Sequence, residues 1–536
     1  MPNYSDLRNF HRPGRSVVYA MNGMVATSHP LATGAAIRCL QDGGNAVDAA
    51  ITACAVQGVV EPQSTGIGGD CFALLAPKGG PDFVAFYGSG RAPAHISLDK
   101  IKGNNDRTIP RQSAHAVTIP GAVDAWCRLV EDYGTKSLGE LLAPAINYAE
   151  RGYPIFERVA YDWRDQVGKL RSTPSARAIF LPSGDAPSVG STHSQPQLAA
   201  ALRAIAEHGR TGFYDGWVAE DMVDYLREHG GSHRLDDFTS AQGEYVTPIQ
   251  TKYKELTVHE CPPNGQGFAA LEMLNILQGF DSSNQDPLSV ERFHLQIEAT
   301  RLAYSDRDSL LTDPRFGAVP LNTLLSEDYA RSQREKIRLN SAMTLQERSH
   351  TPAHPDTVCL SVVDRDRNVV SFINSIFDSF GSGLVTPRAG ILLHNRGAGF
   401  VLEENHPNCI EAGKRPLHTI IPGLVTRDGR VTLSFGVMGG EYQAVGHAHL
   451  LSNLCEFHMD LQAAIDAPRV FAPSVGPVQV ETEIPSATIA GLNDLGHKTA
   501  IQAKPIGGAQ AVAIDWETGV LAGASDPRKD GCALGY

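Results

Sequence analysis

The chain reads as a mixed α+β protein in two parts, and three observations predict it. Residues 1–356 carry long Ala-rich or amphipathic stretches with helix start and stop signals. Residues 357–536 hold short runs rich in strand formers: TVCLSVV, VVSFINS, GILLH, HTIIPGLV, VTLSFG, PVQVE and AQAVAIDW. Between them, residues 340–356 (NSAMTLQERSHTPAHPD) are polar, contain two prolines and show no apolar period, which is linker chemistry. With 42% hydrophobic residues in a chain of 536 there is material for a large core, and length alone allows about two to four domains.

The elements follow in order. HPLATGAAIRCLQDGGNAVDAAITACAVQGVVEP (residues 29–62) predicts two helices, with Gly43-Gly44 stopping the first and Asn45 capping the second. QSTGIGGDCFALLAP predicts a glycine turn into an apolar strand. Gly66, Gly68 and Gly69 do not make the full dinucleotide fingerprint, and a strand follows where a helix should, so a tight turn near a site is the better reading. Residues 113–152 read as helical after Pro120-Gly121, with a Ser137 start and a Gly152 stop for the segment SLGELLAPAINYAERGY; residues 196–230 add amphipathic helix, and HLQIEATRLAYSDRDSLL (residues 294–311) is strongly periodic. The polar stretch Asp364–Asn368 between two strand runs predicts a hairpin turn. Its Asp364, Asp366 and Asn368 resemble the start of a calcium loop, but the required glycine and distal glutamate are missing.

Several function classes are disfavoured. Net charge is −13, from 46 basic and 59 acidic residues, and no basic stripe is present, which argues against nucleic-acid and anionic-membrane partners. The N-terminus lacks the apolar core of a signal peptide and no apolar run spans a bilayer, so a cytoplasmic protein is expected. Nine scattered cysteines without a CxxC pair predict buried thiols, neither a disulfide scaffold nor a zinc site. His447 and His449 stand two apart on a predicted helix and face different ways, so no metal is expected, and no cofactor.

Thr357 raises the functional question. It opens a strand directly after Asp356, where the linker ends. A threonine hydroxyl is a weak nucleophile that needs a base. If the Asp356–Thr357 bond is cut, the new α-amine supplies that base, with a reference pKa of about 7.7–8.0. Locally, a strand threonine that only packs is the commoner reading. A second feature shifts the balance: VTLSFGVMGGEYQAVGHAHLLSNLCEF reads strand, glycine turn, helix, so Gly439 and Gly440 present backbone N–H groups where a helix begins. Such a pair makes an oxyanion hole for acyl transfer, or else a plain turn.

At this point the chain resembles the γ-glutamyltransferase family of N-terminal-nucleophile hydrolases along nearly its whole length. The motifs are GMVATSHPLATGAAIRCLQDGGNAVDAA, EPQSTGIGGDCFALL, SAHAVTIPGAVDAW, HLQIEATRLAYSDRD, ASDPRKDGCALGY and, most specific, DTVCLSVVDRDRNVVSFINSIFDSFGSGLVTP. The resemblance implies a four-layer αββα sandwich made as a precursor. Cleavage before a threonine gives a large and a small subunit that stay together, with room for homo-oligomers of that pair. It places the nucleophile on Thr357, the hydroxyl that orients it on Ser375, and the oxyanion glycines on Gly439 and Gly440.

This chain departs from the family's glutamyl-handling members around the substrate. Their carboxylate-binding arginine falls on Ser89, with Arg91 two residues on in GSGRAPA. Their amine-binding acid falls on Gly399, a pocket asparagine on Phe377, and a serine pair on His418 and Thr419. The stretch from Phe400 to Lys414, where they carry a lid loop, is shorter. The catalytic parts are thus kept while the glutamate site is mostly lost. The expected activity is hydrolysis of a small carboxylate-bearing amide of the oxamate type, with Arg91, Arg396, His418 and Thr419 as candidate substrate partners. Acylases acting on β-lactam side chains form another branch of the family. The alternatives are a glutathione hydrolase or transferase, a silent binding scaffold, and a metallohydrolase using the histidines.

Overall fold

A computed structural model describes residues 14–102, 108–281, 285–343 and 357–536. The helices that matter for the site are α1 (Pro30–Gln41), α2 (Ala46–Val60), α3 (Ala122–Tyr133), α4 (Leu138–Arg151), α5 (Gly267–Leu277), α6 (Val290–Leu310) and α7 (Tyr442–Cys455). The strands before residue 357 are β1 (Val18–Ala20), β2 (Met24–Thr27), β3 (Asp70–Ala76), β4 (Val84–Gly88), β5 (Glu244–Val246), β6 (Ile249–Tyr253) and β7 (Leu256–Glu260). Those after it are β8 (Val358–Val363), β9 (Val369–Ser375), β10 (Gly423–Arg427), β11 (Arg430–Met438), β12 (Gly508–Ile514), β13 (Leu521–Ser525) and β14 (Cys532–Gly535).

These strands form two seven-stranded antiparallel sheets, ordered β14-β2-β8-β9-β3-β4-β5 and β1-β13-β12-β11-β10-β7-β6. The sheets stack face to face over a shared core that includes Phe72, Leu74, Cys359 and Ile373 on one side and Leu424, Met438 and Val512 on the other. The outer face of the first sheet is covered by α1, α2 and α3. The outer face of the second is covered by α5, α6 and α7. The architecture is therefore the four-layer αββα sandwich of the α+β class. It also explains the strand sequences. A strand covered on both faces reads as a continuous apolar run, and every residue of β8 and β9 is buried.

Local chemistry sets the elements. All fifteen residues of α2 are buried, which its alanines allow without loss of packing. Asn45 caps it and Asp48 completes the capping box, while Asp42 and Gly43 (φ 90) end α1. The β8–β9 hairpin turn is closed by Asp364, whose carboxylate accepts the N–H groups of Asp366 and Asn368 and, from Oδ2, that of Ala46 at the start of α2. The carboxylate that suggested a calcium ligand is thus satisfied by backbone.

Residues 113–152 hold two helices: Gly134 ends α3, and α4 starts at its Ser137 cap and stops at Gly152, as its sequence predicts. Two expectations need correction. GILLH is not a strand: Leu393 N–H donates to Leu384 O and His394 N–H to Gly68 O, so its backbone lines a loop. In HTIIPGLV only the last residues, from Gly423, join a ladder. Asp356 and residues 344–355 of the linker lie outside the described residues. Both sheets mix strands from either side of residue 357.

Candidate active site

Thr357 precedes β8 and is 1% exposed. Its neighbour β9 runs antiparallel, so Ser375, at the end of β9, comes alongside, and Thr357 Oγ1 lies 3.2 Å from Ser375 Oγ. Ser375 Oγ also accepts the Phe377 N–H at 3.0 Å. Packing between the sheets brings the glycine pair to the same end. Cys359 Sγ of β8 meets Gly436 O at 3.2 Å, and Ser371 Oγ of β9, the cross-strand partner of Ser361, donates to Phe435 O at 2.7 Å, so β8 runs antiparallel to the facing β11. Two residues back along β8 is Thr357, and two residues on along β11 is Met438, next to Gly439. Gly439 and Gly440 adopt φ 117 and 56, which only glycine takes freely, and they deliver the chain into α7.

A buried charge cluster flanks Ser375. Its cross-strand partner is Asp70, at the start of β3. Asp70 Oδ1 accepts the N–H groups of Gly90 and Gly121, both at 3.2 Å. Its Oδ2 lies 3.1 Å from His418 Nε2, 3.3 Å from His394 Nδ1 and 3.9 Å from Arg396 Nε. Burial alone would raise the Asp70 carboxyl. His394 and His418 outweigh that and hold it well below the usual carboxylate range. His418 is pulled down to about 3, first by burial and then by Arg396, so it is neutral and donates from Nε2.

Arg396 lies in a short 3-10 turn, fully buried. Its Nη1 donates to Thr419 Oγ1 at 2.9 Å and its Nη2 to Ser375 Oγ at 3.4 Å, with the Phe377 ring 4.1 Å beneath the guanidinium. Burial lowers it to about 10 while Asp70 acts to raise it, so it is cationic at neutral pH. Its Nε has no hydrogen-bond partner among the described residues. Arg91 is placed differently. It donates to Asp313 (2.6 Å), to Gly413 O (3.0 Å) and more weakly to Glu244. The structure thus gathers Thr357, Ser375, Arg396, His418 and Thr419 into one constellation, and gives Arg91 carboxylate partners of its own.

A family model described as gamma-glutamyltranspeptidase matches residues 32–536. The chain belongs to that family. It is 38% identical over 521 residues to the "Glutathione hydrolase-like YwrD proenzyme" of Bacillus subtilis, covering 96% of this chain and 98% of the relative. It is 33% identical to the "Oxamate amidohydrolase proenzyme" of Klebsiella pneumoniae, with 96% and 98% covered. The solved cephalosporin acylase from Bacillus halodurans superposes with a TM-score of 0.91 at 39% identity, covering 99% of each chain. The chain is accordingly an enzyme of the N-terminal-nucleophile amidohydrolase type.

Sequence reasoning missed Asp70, His394 and Gln266. Asp70 carried one signal, a lone acid opening an otherwise apolar strand after a glycine turn. The glycines themselves serve close approach, since a Cβ on Gly68 would stand 2.2 Å from Leu392 O and one on Gly69 2.4 Å from Ser375 O. The two helix histidines face apart: His447 Nδ1 meets Glu260 at 2.5 Å, whereas His449 Nδ1 faces Arg292 and Gln296. Among the described residues His294, Glu298 and His497 have metal-like spacing. Their facing atoms are already used, because His294 Nδ1 and His497 Nε2 are hydrogen-bonded at 2.8 Å and Glu298 holds Arg301 and the Met343 N–H. Thr357, Ser375 and Arg396 take no part in that group.

Proposed function

We propose that the chain is cut between Asp356 and Thr357, and that Thr357 then hydrolyses the amide of a short carboxylic acid whose carboxylate sits on Arg396. The observation that carries this is the series Thr357–Ser375–Arg396, with contacts of 3.2 and 3.4 Å. In cleavage, Thr357 Oγ1 attacks the Asp356 carbonyl. The peptide nitrogen leaves as the α-amine, and water opens the resulting ester. In turnover, that amine takes the hydroxyl proton as Oγ1 adds to the substrate carbonyl. The oxyanion faces the Gly439 and Gly440 N–H groups, which no turn or cap bond among the described residues uses. The amide nitrogen leaves with the proton, and water hydrolyses the acyl-threonine.

The two contacts in series keep Arg396 Nη2 within about 7 Å of Thr357 Oγ1. A near-attack carbonyl takes about 3 Å of that span and a charge-assisted hydrogen bond about 2.8 Å. A carboxylate bonded directly to the scissile carbonyl fits. A γ-glutamyl group has three further carbons between and would have to fold back. At Gly399, where an acid would hold a glutamyl amine, an added Cβ would stand 2.9 Å from Leu417 O. Cytoplasmic location stays part of the proposal; among the described residues no helix is long and apolar enough to cross a membrane.

The test is steady-state kinetics on oxamate, oxamide and a γ-glutamyl anilide with the wild type and Arg396→Met. Oxamate should be the best substrate. The variant should lose roughly 10- to 100-fold in kcat/KM on oxamate, since a charge-assisted contact contributes about 1.5–3 kcal/mol, and little on oxamide. Equal losses on both, or a preference for the γ-glutamyl anilide, would overturn this reading.

A further inference from the structure

Gln266 is the residue before α5, fully buried, between the two walls of the site. Its carboxamide nitrogen donates to Thr419 O and to Gly440 O, both at 2.9 Å. Its carbonyl accepts Arg307 Nη1 at 2.9 Å. The reverse amide orientation would set an oxygen against two carbonyls and an NH₂ against a guanidinium, so chemistry fixes this one. The same turn holds the Thr419 wall through backbone, with Gln266 N–H donating to His418 O at 3.0 Å and His418 N–H to Asn264 O at 2.9 Å. Arg307 in turn binds Glu441, one residue past Gly440, at 2.7 Å, and the Tyr304 hydroxyl donates to the Glu441 carbonyl.

One wall therefore carries Thr419, the hydrogen-bond partner of Arg396. The other carries Gly440. A single primary amide spends both its protons joining them. We propose that Gln266 is a positioning residue that couples carboxylate binding at Arg396 to alignment of the Gly439–Gly440 loop. A carboxylate seated on Arg396 draws on Thr419, and through Gln266 that pull fixes the Gly440–Glu441 peptide, which anchors the loop that presents the Gly439 and Gly440 N–H groups. Substrates bearing the carboxylate then gain in kcat as well as in KM. This rests on the reading of Arg396 given above.

The experiment compares wild type, Gln266→Met and Gln266→Glu. Both variants keep the length of the side chain and remove the two donors. For each, the measurements are kcat and KM on oxamate and oxamide, the melting temperature, and the mass of the chain starting at Thr357. The expected result is a processed enzyme of near wild-type melting temperature. Its kcat on oxamate is lower, and its oxamate-to-oxamide ratio of kcat/KM is reduced about tenfold or more, as the loss of two hydrogen bonds implies. A fall on both substrates by the same factor, tracking a lowered melting temperature, would show a structural role only and overturn the proposal. So would unchanged kinetics. If the wild type itself does not distinguish oxamate from oxamide, the Arg396 reading fails by itself. Gln266 is then judged on kcat for a γ-glutamyl anilide, where an unchanged value overturns it and a tenfold fall at constant melting temperature upholds its hold on the loop.

Discussion

Phe377 has φ 78, and its ring lies 4.1 Å under the Arg396 guanidinium. A phenylalanine is strained at such a backbone angle, whereas asparagine tolerates it. The ring lies against the guanidinium, and in the proposed function it takes the place of the longer acyl chain. Phe377→Asn should therefore fold, lose oxamate turnover several-fold as Arg396 loosens, and gain several-fold in kcat/KM on a γ-glutamyl anilide. Kinetics on the two substrates check this, and a parallel fall on both would show that the ring only supports packing. At this scale the sequence was partly legible. Thr357, Ser375, Gly439 and Gly440 stand in motifs whose spacing follows the chain. Asp70 does not, because its role depends on His418, which lies 348 positions away, and on Arg396 and His394. No local pattern marks a carboxylate whose side-chain partners arrive from two distant loops. Arg91 and Arg396 could not be ranked from sequence either, since only the fold shows that Asp313 and Glu244 engage the first.

The glycine turn before β3 is the element on which the site depends most. Gly69 lies against the carbonyl of Ser375, and Gly121 N–H donates to Gly69 O at 3.0 Å, so the turn, β9 and the segment leading into α3 meet there. Gly69→Ala would force a Cβ to 2.4 Å from the Ser375 carbonyl. The expected outcome is a chain with impaired cleavage and a lower melting temperature, read by a gel after purification and by calorimetry. Full processing at wild-type rate would show that Ser375 tolerates displacement. Helices were the most readable elements, because caps such as Asn45 and Ser137 and the Gly43 stop are local chemistry. Strands were readable where both faces are covered, as in β8 and β9. The readings faltered at GILLH and HTIIPGLV, apolar segments whose backbones bond to loops around the site and leave the sheet ladder unextended.

Across the whole molecule, both sheets combine strands from before and after residue 357, with β8 lying between β2 and β9, and β9 against β3. Two chains produced by cleavage at Thr357 would share both cores and part only on unfolding. The same burial sets the acid limit. His29 is pulled down to about 3, His233 to about 4 and His418 to about 3, burial being the first cause in each. In the unfolded chain these imidazoles take up protons near pH 6.5. The unfolded state therefore binds more protons between about pH 6.5 and 4, and stability falls as pH drops through that window, by on the order of 3 kcal/mol for each such group. Melting temperatures from pH 7.5 to 4.5 check the sign, and a flat profile would contradict it. The most direct test of the central claim is a denaturing mass spectrum of freshly purified protein beside a Thr357→Ala control. The account predicts two chains in the wild type, the lighter beginning at Thr357, and one intact chain in the control. A wild-type chain that stays whole on long incubation would leave Thr357 without its amine and contradict the account.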